Sequence, residues 1–256
     1  MSPVRQPLST AEEAYYTVRS MAATLNTGHI IESHTHNWSQ LLCACTGAMT
    51  VYGGRSSWMV PPGYAVLIPA GSVHSIRMWG DVAVRSLYFP EIIEKLECRV
   101  IAVTPLLKEL ILRVIDWRVL DSRVPEHMRL LAVLLDELTR AQSRVEAVNP
   151  LLLPLPEDPR ALAVARHILN APACEETFDE LARQYAASRR TLERLFQRET
   201  GLSFGVWRQK VRLLASIRLL AEGRSVTDAA LDCGYTSLSA FIAAFKKTFG
   251  YTPGRV

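Results

Sequence analysis

The 256-residue sequence contains no apolar run of the length that crosses a bilayer, which is about 20 residues. Its first residues, MSPVRQPLSTAEE, carry charges without the apolar segment that follows them in a secretory signal. The five cysteines are odd in number and include no CxxC pair, so neither a disulfide framework nor a thiolate zinc site is predicted. We therefore expect a protein of the reducing cytoplasm with no membrane partner.

The net charge is only +4, but it is unevenly distributed. Residues 1–156 contain 14 basic and 14 acidic side chains, whereas residues 157–256 contain 15 and 11. Within residues 183–224, ten Lys and Arg side chains stand against three Glu. Such a basic stretch in an otherwise balanced chain is either a solvated helix surface or a face that binds a polyanion.

Residues 20–90 carry the pattern of β structure. Short β-branched or aromatic segments, such as residues 65–69, alternate with glycine and proline turns, which is typical of a barrel or a sandwich. Residues 104–143 instead place apolar side chains at helical spacing, and Thr104-Pro105 predicts the start of the first of two helices. Helices beside a barrel either complete its core or form a dimer interface.

Residues 149–158, NPLLLPLPED, contain three prolines and are predicted to form an irregular linker. The linker separates an N-terminal domain, residues 1–148, from a C-terminal domain, residues 159–256, with the pattern of short helices. The expected fold class is α+β, with a β-barrel and two flanking helices in front of an all-α domain.

The C-terminal domain repeats internally with an offset of 49 residues, so that FQRETGLS at 196–203 corresponds to FKKTFGYT at 245–252. In each copy the caps of two short helices are predicted, and a glycine follows the second helix. The predicted caps are Thr177, Ser188, Ser225 and Ser237. Two short helices about a tight turn form a helix-turn-helix motif, whose second helix can enter a DNA major groove. A generic helical bundle would explain one copy, but two copies with basic side chains favour DNA binding.

Three segments of this domain resemble the AraC/XylS family of transcription regulators. They are SRRTLERLFQRETGLSF, RLLAEGRSVTDAALDCGY and SLSAFIAAFKKTFGYTP, and the resemblance covers about residues 175–253. It implies two helix-turn-helix motifs that one connecting helix holds in successive major grooves of double-stranded DNA, roughly 34 Å apart. A homodimer and contact with RNA polymerase are further expectations from this resemblance.

Carried over by position, the resemblance places Arg190, Glu193 and Arg194 at base edges. Arginine can pair bidentately with guanine, and glutamate can accept a hydrogen bond from cytosine N4. Arg189 belongs to the same expected DNA-contacting set. The alternative is that Glu193 and Arg194 are merely solvated, or that the arginines contact phosphate.

The second motif departs from the polar residues that many family members have at these positions. The corresponding residues are Leu238, Ser239, Ile242 and Ala243. We therefore expect weak base recognition there, limited to Ser239 and apolar contact with thymine methyl groups. Lys246 and Lys247 are expected to contact phosphate.

Two segments of the N-terminal domain resemble the motifs of the cupin β-barrel superfamily. Residues 28–47 contain glycine, five residues, His34-x-His36, three residues, Gln40, six residues and glycine. Residues 63–78 contain glycine, five residues, Pro-x-Gly, two residues and a histidine, His74. Two identities differ from the motifs, because glutamine stands in place of glutamate and Met78 in place of asparagine.

Alternation along one strand predicts that His34, His36 and Gln40 point to the same side, with His74 coming from a neighbouring strand. Three imidazoles that converge inside a barrel suit a divalent metal such as Zn, Fe, Ni or Mn. A neutral amide is a poorer ligand than a carboxylate and leaves the site one negative charge short. The other interpretation is that these side chains line an effector pocket without metal.

The sequence therefore predicts a DNA-binding transcription regulator, not an enzyme, whose cupin-like domain senses a small-molecule effector or a metal. The combined motifs also resemble regulators of neighbouring transporter or efflux genes. The alternatives are a metal-dependent cupin enzyme with a helical accessory region, and a DNA-binding protein that does not respond to an effector. Turnover of an organic acid or sugar would favour the first, and effector-independent DNA affinity the second.

Overall fold

The structure is a computed structural model that describes residues 15–89, 98–143 and 149–256. It divides into two compact units. The N-terminal unit comprises Met1–Val51 and Val60–Asn149, and the C-terminal unit comprises Tyr52–Met59 and Pro150–Val256. Among the described helices, none is both long and apolar enough to cross a membrane.

The N-terminal unit is built from β-strands in two sheets. The strands of this part of the chain are β1 Tyr16–Leu25, β2 Ile30–His34, β3 Ser39–Ala44, β4 Ala48–Gly53, β5 Ser56–Val60, β6 Tyr64–Ile68, β7 His74–Trp79, β8 Val82–Phe89, β9 Arg99–Ala102 and β10 Val119–Asp121. Of these, β5 lies almost wholly in the segment that belongs to the C-terminal unit. One sheet has the order β10-β1-β8-β3-β6-β9, and the other places β7 between β4 and β2. Within the described ranges the two sheets do not close into one continuous barrel. The expected cupin-like barrel is thus a two-sheet jelly roll, and the α+β fold class is confirmed.

Two helices, α1 Pro105–Trp117 and α2 Pro125–Ser143, cover one face of the first sheet. The predicted cap is confirmed, since the Thr104 hydroxyl accepts a hydrogen bond from the Leu107 amide at 3.1 Å. The apolar stripes of both helices pack against Leu41, Cys43 and other side chains of the sheet. The buried helix residues are Leu107, Ile111, Val114, Leu131, Leu134, Leu138 and Ala141. These stripes complete the core of the unit, which is one of the two roles that the sequence left open.

The C-terminal unit is helical. Its helices are α3 Pro159–Asn170, α4 Phe178–Gln184, α5 Arg189–Thr200, α6 Phe204–Ala221, α7 Val226–Asp232 and α8 Leu238–Phe249, followed by a 3-10 turn at Pro253–Arg255. The aromatic side chains of Phe196, Trp207 and Phe241 are fully buried. Such buried rings contribute much of the apolar area that stabilises a helical domain of this size.

The linker predicted as irregular contains a short strand, β11 Leu152–Pro154. It pairs antiparallel with β5, with Leu152 opposite Trp58 and Pro154 opposite Ser56. The Pro154 carbonyl also accepts a hydrogen bond from the Trp207 indole at 2.8 Å. Proline lacks only the N–H donor, so its carbonyl remains available for this contact. Local composition could not predict the strand, because its pairing partner lies about a hundred residues earlier in the chain.

Candidate DNA-binding surface and histidine site

The first helix-turn-helix motif consists of α4 and α5. The predicted cap at Thr177 is confirmed and forms a capping box, because the Thr177 amide donates to the Glu180 carboxylate at 2.7 Å and the Glu180 amide donates to the Thr177 hydroxyl at 3.3 Å. Ser188 caps α5 by accepting from the Thr191 amide at 3.1 Å. Between the helices, Ala186 has a φ of 51°, a conformation that side-chain-bearing residues seldom adopt. The tight turn therefore holds α5 at a defined angle to α4.

The second motif consists of α7 and α8 and has the same construction. Ser225 accepts from the Asp228 amide at 3.1 Å, and Ser237 accepts from the Ala240 amide at 3.4 Å. The turn contains Gly234 with a φ of 79°, where a Cβ atom would meet the Arg212 guanidinium at 3.1 Å. Glycine is thus required there by both conformation and space. The repeat predicted from the sequence is confirmed in each of these details.

Three of the ten basic side chains between 183 and 224 are buried or hydrogen-bonded to backbone carbonyls, so they do not contribute to an exposed basic surface. Arg208 donates to the Glu176 carbonyl at 2.7 Å, and Arg212 donates to the Pro172 carbonyl at 3.0 Å. Lys210 is buried, and burial lowers its pKa to about 8. Charge counting in the sequence therefore overstated the basic surface, since these side chains support the loop between α3 and α4 or the core.

On α5, the expected base-contacting residues Arg190, Glu193 and Arg194 are all exposed. The Glu193 carboxylate accepts from Arg189 at 2.9 Å, and Arg189 also donates to Asp179 at 3.0 Å. Hydrogen bonds from Arg189 to these carboxylates raise the pKa of its guanidinium. Arg189 thus ties α5 to α4, whereas Arg190 and Arg194 are in no ion pair within the described chain.

On α8, the expected contact residues Ser239, Lys246 and Lys247 are also exposed. The Ser239 hydroxyl lies 2.9 Å from the hydroxyl of Ser237, so it is engaged with the helix cap. Leu238 is 40% exposed, which leaves an apolar side chain at the start of this helix. The surface of α8 is therefore less polar than that of α5.

The histidine site lies in the N-terminal unit, but its construction differs from the predicted one. His34 ends β2, His36 lies in the following loop and Gln40 is in β3, so the three do not share one strand. The strands β2 and β3 belong to different sheets. His74 begins β7 and stands opposite His34 in the antiparallel ladder, as expected for a neighbouring strand. The side chains converge because the chain passes from one sheet to the other between β2 and β3. The prediction that His34, His36 and Gln40 lie along one strand was therefore wrong.

The three imidazoles form a compact cluster. Ring centroids are 4.3 Å apart for His34 and His74, 5.1 Å for His36 and His74, and 5.9 Å for His34 and His36. In each ring Nδ1 lies 2.5–3.0 Å from a backbone carbonyl two residues away. A carbonyl only accepts, so in neutral His34 and His74 the hydrogen resides on Nδ1 and the Nε2 lone pair is left for a ligand. In His36 both ring nitrogens face oxygen acceptors, namely the Trp38 carbonyl and the Gln40 amide oxygen.

Burial of His74 strengthens this arrangement. Its side chain is 3% exposed, and its Nε2 atom has no hydrogen-bond partner among the described residues. Burial, followed by the neighbouring charges of His34 and His36, lowers the pKa of His74. An unpaired buried nitrogen costs about 1–3 kcal/mol unless something binds it. One ligand atom from each histidine lies within 4.8 Å of the others, so the cluster fits a divalent cation.

The side-chain amide of Gln40 lies at the edge of this cluster and is held in one orientation. It is 3% exposed, and its nitrogen donates to Ser86 at 3.0 Å and to Tyr88 at 3.2 Å. Its oxygen lies 3.1 Å from Nε2 of His36. Adjacent ligands of one metal ion with bonds of about 2.1 Å are separated by about 3.0–3.4 Å, so this spacing suits a shared cation.

A second group of ligand-type side chains, His167, Cys174 and Glu176, lies in the C-terminal unit. His167 is hydrogen-bonded to Tyr185 at 3.1 Å and to Glu176 at 3.2 Å. Arg208 donates to the Cys174 sulfur at 3.3 Å. These contacts fasten the loop before α4, so His167 has a structural role there.

The two capped helix-turn-helix motifs and the jelly roll with its histidine cluster define a DNA-binding regulator with a ligand-binding domain. Residues 22–194 match the model of the AraC-like ligand binding domain, and residues 181–256 match a helix-turn-helix domain. The HTH-type transcriptional regulator NimR of Escherichia coli strain K12 is 34% identical over 224 residues, which cover 87% of this chain and 80% of NimR. The chain belongs to the AraC family of transcription regulators.

Other similar proteins match over different shares of the chain. The HTH-type transcriptional regulator RipA of Corynebacterium glutamicum is 36% identical over 100 residues, which cover 39% of this chain and 30% of RipA. Among solved structures, ToxT from Vibrio cholerae has 11% identity and a TM-score of 0.39, covering 93% of this chain and 97% of ToxT. NimR and RipA are both named as HTH-type transcriptional regulators.

Proposed function

We propose that α5 and α8 enter successive major grooves of DNA and that α5 supplies most of the base recognition. The observation that carries this proposal is that Arg190 and Arg194 are exposed and form no ion pair with another described residue, on a helix whose other face is buried. Glu193 is held by Arg189, so its contact with cytosine requires this ion pair to open or to be shared. The less polar surface of α8 supports phosphate contact by Lys246 and Lys247.

Arg194→Ala is expected to relax the preference at one or two base pairs and to cost roughly 1–3 kcal/mol on the selected site. Lys246→Ala should instead weaken binding to all sequences alike and reduce the salt dependence. The measurement is selection of binding sites from random duplexes, followed by titration of the best site at several salt concentrations. Arg198→Ala is the matched control, since Arg198 lies on the same helix but pairs with Glu199. A selected motif that is unchanged in Arg194→Ala would assign Arg194 to phosphate contact.

We further propose that the histidine cluster binds a divalent metal and that the metal forms part of the effector site. The support is the buried Nε2 of His74, together with three Nδ1 atoms held by backbone carbonyls. His34, His36 and His74 would hold the ion, with Gln40 as a weaker fourth ligand. When bound, the ion would offer open positions to water or to an anionic oxygen of the effector.

A homodimer is the proposed assembly. The apolar side chains of Leu106 and Val133 are 52% and 43% exposed on α1 and α2, beyond the stripes that complete the core. Molar mass in solution tests this proposal. Contact with RNA polymerase and control of a neighbouring transporter or efflux gene rest on the family resemblance alone.

A further inference from the structure

Three side chains of metal-ligand type surround the loop that joins α3 to α4. His167 comes from the last turn of α3, whereas Cys174 and Glu176 come from the loop itself. One ligand atom from each residue lies within 4.8 Å of the others, and Nε2 of His167 is 3.2 Å from the Glu176 carboxylate. This set, called here the His167 cluster, lies in a different unit from the histidine cluster.

The types and spacing of these ligand atoms suit zinc. Ligands of one tetrahedral zinc ion are separated by about 3.3–3.6 Å, because Zn–N and Zn–O bonds are about 2.1 Å long and Zn–S bonds about 2.3 Å. The separation between His167 and Glu176 is already close to this value. A thiolate and an imidazole favour zinc over magnesium or calcium, and the thiolate and the carboxylate together neutralise the two charges of the ion.

The ring of His167 is oriented for such a role. Its Nδ1 atom lies 3.1 Å from the hydroxyl of Tyr185, which can either donate or accept. When Nε2 binds a metal ion, the ring hydrogen resides on Nδ1 and is donated to an outer partner, which fixes the ring. Nε2 can therefore exchange its hydrogen bond with Glu176 for a metal bond while Tyr185 keeps the ring in place.

The loop that carries the other two ligands is held in shape by α6. Arg208 donates to the Cys174 sulfur at 3.3 Å, to the Cys174 carbonyl and to the Glu176 carbonyl at 2.7 Å. Arg212 donates to the Pro172 carbonyl at 3.0 Å. An N–H donor beside the sulfur also stabilises a thiolate, which is the form of cysteine that binds metal. The ligands are therefore held near one another before any ion is bound, which lowers the entropic cost of binding.

We infer that His167, Cys174 and Glu176 bind one zinc ion, with a water molecule as the fourth ligand. Cys174 releases its proton as it binds. The side chains of His167 and Glu176 are 21% and 41% exposed, so the ion can enter from solution. The ion would join the end of α3 to the loop that leads into the first helix-turn-helix motif. This inference does not depend on metal binding by the histidine cluster, whose three ligands include no thiol.

Titration of the reduced full-length protein with Co²⁺ tests the inference. A bond from a thiolate to Co²⁺ gives a charge-transfer absorption in the near ultraviolet that imidazole and carboxylate ligands do not give. We expect this absorption to appear with Co²⁺ and to disappear when Zn²⁺ displaces it. His36→Ala should retain the absorption, because that substitution affects only the histidine cluster.

Substitutions at the His167 cluster should have graded effects. Cys174→Ser should abolish the absorption, and His167→Ala should weaken Co²⁺ binding by more than about 100-fold. Tyr185→Phe keeps the aromatic ring but removes the outer hydrogen bond, so it should weaken binding about tenfold. Cys45→Ser is the matched control, since Cys45 is also half-buried but belongs to neither cluster. Thermal unfolding in the presence of a chelator shows whether each variant is folded.

Two results would overturn the inference. One is folded, reduced protein that gives no thiolate-to-cobalt absorption. The other is an absorption that persists in Cys174→Ser or is lost in Cys45→Ser, since the sulfur ligand would then be a different cysteine.

Discussion

Removal of residues 157–256 is expected to abolish DNA binding, because both helix-turn-helix motifs lie beyond that point. A fragment of residues 150–256 should retain binding. It keeps β11 and therefore the hydrogen bond between the Pro154 carbonyl and Trp207. If the fragment makes four phosphate contacts, its affinity should fall roughly 100-fold when the salt concentration rises from 50 to 200 mM, because binding releases counterions from the DNA. Fluorescence anisotropy with a labelled duplex at a series of salt concentrations measures both the affinity and its salt slope.

Substitutions of single basic residues test whether the exposed ones contact DNA and whether the inward-facing ones support the fold. Lys246→Ala and Lys247→Ala should each make the salt slope shallower by about one phosphate contact. Arg212→Ala should instead destabilise the fold, because Arg212 donates to the Pro172 carbonyl at 3.0 Å and to the Gly234 carbonyl at 3.4 Å. DNA binding that persists after deletion of 157–256 would contradict the assignment of the DNA-binding surface.

His36→Ala is expected to reduce metal affinity by more than about 100-fold, because it removes one of three imidazole ligands and the partner of the Gln40 oxygen. Equilibrium dialysis against Zn²⁺ and Ni²⁺, followed by elemental analysis, measures this effect. His29→Ala is the matched control, since His29 lies just before β2 and outside the cluster. Gln40→Glu should tighten binding, because a carboxylate restores the missing negative charge.

The pH dependence follows from the same ligands. Metal affinity should fall below about pH 6, where protons compete for the imidazoles. The lowered pKa of His74 keeps this ring neutral to a lower pH than an ordinary histidine, so its Nε2 atom remains available to a ligand as the pH falls. Protein that takes up no divalent metal, together with a normal effector response in His36→Ala, would show that the histidines only line a pocket.

Much of the C-terminal unit was predictable because its determinants are local. Capping by Thr177 and Ser188, the glycine ends of the helices and the repeat with an offset of 49 all depend on residues within one or two turns. Side-chain caps act over three residues, so their chemistry is visible in the sequence itself. The spacing of the histidines likewise identified the members of the histidine cluster, although not the way in which the cluster is assembled.

The tertiary structure decided which side chains meet. It placed His34 and Gln40 in different sheets, turned Arg208 and Arg212 towards backbone carbonyls and joined β11 to β5. Each of these features depends on contacts between segments far apart in the chain, whose partners no local pattern specifies. Residue type and spacing thus determined which kinds of side-chain chemistry are available to this protein. Long-range packing determined which of these side chains are exposed to a ligand or to DNA, because burial and pairing decide whether a side chain is charged and accessible.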